Sequence, residues 1–164
     1  MKIKTAFLFR KMIITFCGHA DCLSSPTLAD EILSAIKKIA RDEAVSFYLG
    51  GYGRFDNIAL ECCIEYKKTH PLSNLFFITP YLTESYLKSR PCFFEYFDEI
   101  LYPGLEKTPP RYAILKRNEW MVENADFVIA YVIHGWGGAA KTFRHVLAME
   151  KPYINLGEKT SDRI

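Results

Sequence analysis

The stretch Val45-Ser46-Phe47-Tyr48-Leu49-Gly50-Gly51-Tyr52-Gly53-Arg54-Phe55-Asp56 decides the fold. Residues 45–49 form a β-branched and aromatic run of strand length, three glycines follow within four residues, and Asp56 marks the start of a helix. The order is strand, tight turn, helix. Glycines at this density permit positive φ and let backbone N–H groups approach a ligand, while the next helix directs its positive end at the same spot. Two readings stand at this point. One is an anion-binding loop; the other is a plain βα turn in which Gly50, Gly51 and Gly53 merely fit and Asp56 caps the helix. The turn is not the dinucleotide fingerprint, because Asp56 stands where the third glycine is required.

Working outward, the same unit recurs. Upstream, Ile13-Ile14-Thr15-Phe16-Cys17 is a buried-type strand stopping at Gly18-His19, and Ser25-Pro26 opens a helix whose Leu28, Ile32, Ala35, Ile36 and Ile39 share one face. Downstream, Ile58, Ala59, Cys62, Cys63 and Tyr66 line one side of a helix that Pro71 ends. Strands follow at residues 75–79, 99–102, 125–132 and 153–156, with a short helix and loop over 82–97, a helix from Pro109-Pro110 to about Asn124, and another with Ala139, Ala140, Phe143 and Leu147 inward. This rhythm predicts an α/β fold, a modified Rossmann-like three-layer sandwich with a mostly parallel sheet, because parallel strands need crossover helices. Residues 1–11 are expected to be an extension or edge segment, 12–157 a single domain and 158–164 a tail.

In such sheets ligands bind at the carboxyl ends of the strands. That rim collects Gly18-His19, the glycine turn, Pro80-Tyr81, and the loop His134-Gly135-Trp136-Gly137-Gly138. Gly137 and Gly138 form a second cluster between strand and helix, and with the Thr142 hydroxyl they suit a second phosphate or a ribose. On the helix after Pro110, Ile114 and Met121 set the apolar line and Arg117 and Asn118 fall beside it, whereas Lys116 and Arg111 face solvent. An arginine so placed needs an acceptor: a ligand phosphate or carboxylate, or an Asp or Glu of a neighbouring element.

Composition narrows the function. An apolar share of 49% and an aromatic share of 15% belong to a compact globular chain, and a net charge of +2 without a basic stripe speaks against nucleic acid as the main partner. Five cysteines, two of them adjacent, indicate reduced thiols and a cytoplasmic protein, and Arg10-Lys11 cut the first apolar run too short for a membrane span. Cys17, His19, Cys22, Cys62, Cys63 and His70 lack metal-knuckle spacing, so no metal and no cofactor are expected. Cys17 beside His19 is read as core before nucleophile, His134 as a loop histidine before a general base, and the aromatics of residues 81–97 as core or subunit contact before a base-stacking surface.

Three segments carry a family resemblance: the glycine turn running into Arg54-Phe55-Asp56, Arg117-Asn118-Glu119-Trp120-Met121, and Ala125-Asp126-Phe127-Val128-Ile129-Ala130 leading to Gly137-Gly138. Together they resemble the SLOG superfamily, which includes LOG-type phosphoribohydrolases, the DNA-processing protein DprA and nucleotide-ligand sensor domains, and look most similar to its small YpsA-like or YoqJ-like branch. The resemblance implies a Rossmann-like domain that binds a nucleotide or an ADP-ribose-like molecule for sensing or sequestration. It also implies a homo-oligomer, dimer or tetramer. LOG enzymes carry Gly-Gly-x-Gly-Thr-x-x-Glu and Arg-Lys-x-x-Met, where this chain has Arg54, Asn57 and Asn118 at the Thr, Glu and Lys positions. Binding is therefore favoured over turnover, with Gly18, His19, Gly50, Gly51, Gly53, Arg54, Phe55, Asp56, Arg117, Asn118, Gly137, Gly138 and Thr142 as expected ligand residues. The rival readings are hydrolysis of a nucleotide N-glycosidic bond with Asp56 and Arg117 as the acting pair, and an assembly protein whose crevice is filled by Tyr52, Arg54 or Trp136.

Overall fold

The computed structural model describes residues 10–23, 26–89 and 94–158. Six strands form one sheet: β1 (Ile13–Gly18), β2 (Ser46–Leu49), β3 (Asn74–Ile78), β4 (Glu99–Leu101), β5 (Phe127–Tyr131) and β6 (Tyr153–Asn155). They lie in the order β4-β3-β2-β1-β5-β6, and every neighbouring pair is parallel. The helices are α1 (Pro26–Ala40), α2 (Arg54–Thr69), α3 (Glu84–Lys88), α4 (Ala113–Asn124) and α5 (Gly137–Ala148). The expected α/β sandwich is the fold observed.

Its layers follow from strand alternation. Ile14, Phe16, Phe47, Leu49, Leu75 and Ile129 point to the face covered by α1 and α2, where Ile32, Ile36, Ile58, Ala59, Cys63 and Tyr66 complete the larger core cluster. Cys17, Val128 and Ala130 point the other way, onto Val122 of α4 and Val146 of α5. Both faces are dry, which is why β1 and β5 read as continuous apolar runs and not as alternating ones.

Several details differ from the sequence reading. Leu147 was expected inward, but it is 47% exposed. Ala140 is buried as expected and Phe143 packs, partly buried, against the second core cluster, but the inward row of α5 is completed by Thr142 and Val146, and Val146 is the α5 side chain that joins Val122 in that cluster. The helix expected from Pro110 begins as a 3-10 turn, Pro110–Tyr112, before α4. Pro91 and Phe93, in the aromatic stretch, and the Ser25 cap lie outside the described residues. Within residues 10–11, Arg10 pairs with Asp126 at 3.1 Å and Lys11 donates to Asn74 Oδ1 at 2.6 Å, so both side chains engage the sheet at its N-terminal edge. No described helix is long and apolar enough to cross a membrane.

Candidate functional site

The chain leaves β1 in one direction to build β2, β3 and β4, then returns to the other side of β1 to add β5 and β6. Strand order reverses between β1 and β5, and the loops at their carboxyl ends part there to open a crevice. Its volume is about 280 Å³. One wall comes from the end of β1, Phe16 to Asp21; another from Trp136 and the first turn of α5 with Gly137, Gly138 and Thr142; a third from Ile114, Asn118 and Met121 of α4; and the rim from Tyr52, Asp56 and His134.

Close backbone packing shapes this wall. A Cβ on Gly18 would lie 2.2 Å from carbons of the Phe55 ring, so only glycine lets the end of β1 rest on that ring. Gly53, at φ +91°, would place a Cβ 2.5 Å from Ala20, and the Arg54 N–H donates to Ala20 O at 2.9 Å. The glycine turn and the β1 loop are thus laced together. Gly53 backs the crevice through Ala20, and Gly50, Gly51 and Gly53 are not among the described residues that line it.

The expected residues separate into two groups. Gly18, His19, Asp56, Asn118, Gly137, Gly138 and Thr142 meet at the crevice. Phe55 is fully buried in the core and stacks on Tyr131, and Arg54 is directed to Cys22 O at 3.4 Å. Arg117, 1% exposed, donates through Nη1 to the carbonyls of Gly50 and Ile78, both at 2.7 Å, and through Nε to Asn118 Oδ1 at 2.8 Å. Its acceptors there are main-chain carbonyls and an amide, an alternative the helical spacing did not suggest. Through Asn118 it orients a side chain of the crevice wall. Asp56 Oδ2 accepts the Tyr52 N–H at 2.9 Å, reaching back from the first turn of α2.

A ring stack stands at the mouth. His19 lies face to face with His134 at 3.7 Å, and His134 with Trp136 at 3.7 Å, the planes 20° and 13° apart. His19 Nε2 accepts the Ile133 N–H at 3.1 Å, and this fixes the ring neutral with its proton on Nδ1. Burial, then the neighbouring His134, hold the His19 imidazolium below the usual histidine range, against the pull of Asp21. The ligating atoms of His19, Asp21 and His134 lie within 4.8 Å of one another, but two nearly parallel imidazoles aim their in-plane lone pairs side by side. The lone pair of His19 is already used by Ile133. The trio is organised as a stack and not as converging ligands.

Polarity within the crevice is one-sided. Among the described lining residues Asp21 and Asp56 are the carboxylates, and none is Lys or Arg. Positive potential comes from the exposed N-terminus of α5 at Gly137 and Gly138. The Thr142 hydroxyl donates to Gly138 O at 3.0 Å. Cys17 Sγ donates to Ala139 O at 3.3 Å, and burial drives its pKa far above the ordinary thiol value, so it is a core thiol and not an activated nucleophile.

Sequence reasoning passed over Trp136 as a ligand residue. Its signal was two aromatic rings, His134 and Trp136, two residues apart in the loop after β5, which the bend at His134 and Gly135 brings face to face.

No protein-family model matches the sequence, and no curated protein matches it. Solved structures do. DNA processing protein A from Streptococcus pneumoniae superposes with a TM-score of 0.66 at 12% identity, over 93% of this chain and 52% of that one. DNA processing protein A from Helicobacter pylori, described with its single-stranded DNA binding mode, gives 0.63 at 16% identity, over 92% of this chain and 67% of that one. The molybdenum cofactor binding protein from Rippkaea orientalis gives 0.60 at 19% identity, over 94% and 82%. The chain therefore spans about half the length of the first of these proteins. The fold they share with this chain is a Rossmann-like α/β architecture, as the alternation of its strands and helices implied.

Proposed function

We propose that this chain binds a nucleotide-type small molecule in the crevice between β1 and β5, in the service of sensing or sequestering it. The observation that carries the reading is the crevice itself: it opens at the topological switch point, where open parallel sheets bind ligands, and bare backbone at Gly18, Gly137 and Gly138 faces it. The likeness to a molybdenum cofactor binding protein and to DNA processing proteins supports ligand binding at this fold in general. A small molecule is favoured over nucleic acid because the described residues of the crevice lining offer no Lys or Arg for a phosphate backbone. Binding is favoured over N-glycosidic hydrolysis because the Arg117 guanidinium is engaged by the carbonyls of Gly50 and Ile78 and does not line the crevice with Asp56.

The test is native mass spectrometry of the protein purified from its host, which also reads whether it is a dimer or tetramer, followed by calorimetric titration with AMP, ADP-ribose and cyclic ADP-ribose. Gly138→Asp is the control: a Cβ there meets nothing within 4 Å, and an acidic residue in the first turn of α5 suits the helix while repelling an anion. Binding by the unsubstituted protein that Gly138→Asp abolishes supports the reading. Absence of binding to all three, or binding unchanged in Gly138→Asp, overturns it. A ligand recovered with its base removed would establish hydrolysis instead.

A further inference from the structure

The function above leaves open which part of a ligand goes where, and the ring stack bears on that question. Trp136 is 68% exposed although it lines a crevice at the centre of the molecule's functional rim. An indole left open in this way is costly unless something covers it, because it is among the largest apolar surfaces a side chain offers. One face of the indole is supported: His134 lies against it, and His19, 4% exposed and pinned by Ile133, lies against His134. The three rings form a braced column whose inner end is anchored in the β1 loop and whose outer end is an aromatic plane. His134 is itself held, its Nδ1 against Trp136 O at 3.1 Å. Pre-ordering a platform in this way removes the entropic cost of ordering it when a ligand arrives.

Charge and size select what the platform receives. The described residues of the crevice lining include two carboxylates, Asp21 and Asp56, and no Lys or Arg. A pyrophosphate bridge, with two negative groups near two carboxylates and no cation among the described lining residues, is disfavoured there, whereas one phosphate has the N-terminus of α5. The volume of about 280 Å³ is at the small end of ligand sites, which run from roughly 300 to 1,000 Å³.

We infer that Trp136, braced by His134 and His19, is the surface on which a flat bicyclic nitrogen heterocycle stacks, and that the crevice takes such a ring carrying one phosphate or none in preference to a pyrophosphate-bridged ligand. The inference rests on the binding function proposed above and specifies its ligand class. Purine nucleotides and pterins share this chemistry, and separate titrations distinguish them.

The experiment reads Trp136 directly. Trp120, the other tryptophan of the chain, is half-buried against Tyr48 and is replaced by Phe so that fluorescence reports on Trp136 alone. The full-length Trp120→Phe protein is titrated with AMP, adenosine, 6-hydroxymethylpterin and ADP-ribose, and calorimetry is repeated on Trp136→Ala and Trp136→Phe after circular dichroism has verified folding. The expected result is quenching by AMP or by the pterin, affinity for that ligand above that for ADP-ribose, a loss of about 5- to 100-fold in Trp136→Ala, and near-complete retention in Trp136→Phe. Unchanged affinity in folded Trp136→Ala, or tighter binding of ADP-ribose than of AMP and the pterin, overturns the inference while the binding function stands. No binding of any probe by the unsubstituted protein overturns both.

Discussion

One nitrogen of Arg117, Nη1, donates to two carbonyls at once, Gly50 O at the end of β2 and Ile78 O at the end of β3, each at 2.7 Å. The guanidinium thereby closes the gap that opens where two neighbouring strands diverge into their loops. The side chain is 1% exposed, so replacing it by Ala leaves buried carbonyls without their donor and a void the size of an arginine. Arg117→Ala is expected to lower unfolding free energy by about 3 kcal/mol or more, and Arg117→Lys by less, because one ammonium supplies donors but not the planar reach. Urea unfolding decides the matter. A loss in Arg117→Ala below about 1 kcal/mol would show that the bridge contributes only as an exposed pair does.

Gly18 and Phe55 make a second such joint. The Cβ of an alanine at position 18 would lie 2.2 Å from two carbons of the Phe55 ring, which is fully buried and stacked on Tyr131 at 6.1 Å. The ring has nowhere to retreat. Gly18→Ala is expected to cost about 1–3 kcal/mol by overpacking, and Phe55→Leu to cost stability by itself through lost volume. Combined, the two should be less destabilising than their sum by about 1 kcal/mol or more, since the smaller side chain vacates the space the methyl needs. Strict additivity in thermal or urea unfolding would separate the two positions.

These joints mark where the sequence was readable. Apolar runs such as residues 125–132 and one-faced helices such as Leu28, Ile32 and Ile36 announce burial by periodicity alone, and the sandwich follows from their alternation. The glycine turn was legible as a turn at which backbone comes close to something. What it approaches was not: Gly18 meets Phe55, Gly50 meets Arg117 and Gly53 meets Ala20, contacts between residues 33 to 67 positions apart that no local pattern encodes. For the same reason Arg117 was legible as an arginine needing an acceptor, but main-chain carbonyls have no sequence signature. Trp136 was visible only as an aromatic in a loop, because the ring that braces its partner His134 is His19, which comes from the loop after β1.

His19 gives the site a pH dependence of definite sign. Its folded pKa is lowered, by burial first and by His134 second, while Asp21 opposes the shift. In the unfolded chain it titrates near about 6.5. As pH falls through that value the unfolded state takes up the proton before the folded state does, so stability is full above the unfolded pKa and declines until the folded pKa is reached. Protonation also turns Nε2 from acceptor to donor and breaks the bond from the Ile133 N–H, loosening the loop that carries Trp136. The expected outcome is a steeper fall in melting temperature between about pH 7 and pH 5 for the native protein than for His19→Gln, whose amide oxygen accepts the same bond without titrating. Identical profiles would mean that His19 does not carry the dependence.

Asp56 separates binding from hydrolysis by the direction of one change. Its carboxylate lines the crevice and accepts the Tyr52 N–H at 2.9 Å, next to the positive end of α2. Asn at this position keeps an oxygen for that bond and removes the charge, so the fold should lose only about 0.3–1 kcal/mol of helix-end stabilisation. If the crevice is a binding site for a phosphate-bearing ring, Asp56 is a repulsive neighbour of the phosphate and Asp56→Asn should tighten AMP binding by about 2- to 5-fold at low salt, an effect that shrinks as ionic strength rises. If Asp56 instead stabilises an oxocarbenium ion, the same substitution should leave binding near its original strength and abolish release of the base. Calorimetry at two salt concentrations, run beside an assay for free base, reads both. Tighter binding that weakens with salt identifies the carboxylate as a charge that sets ligand selectivity, whereas loss of base release identifies it as a participant in chemistry.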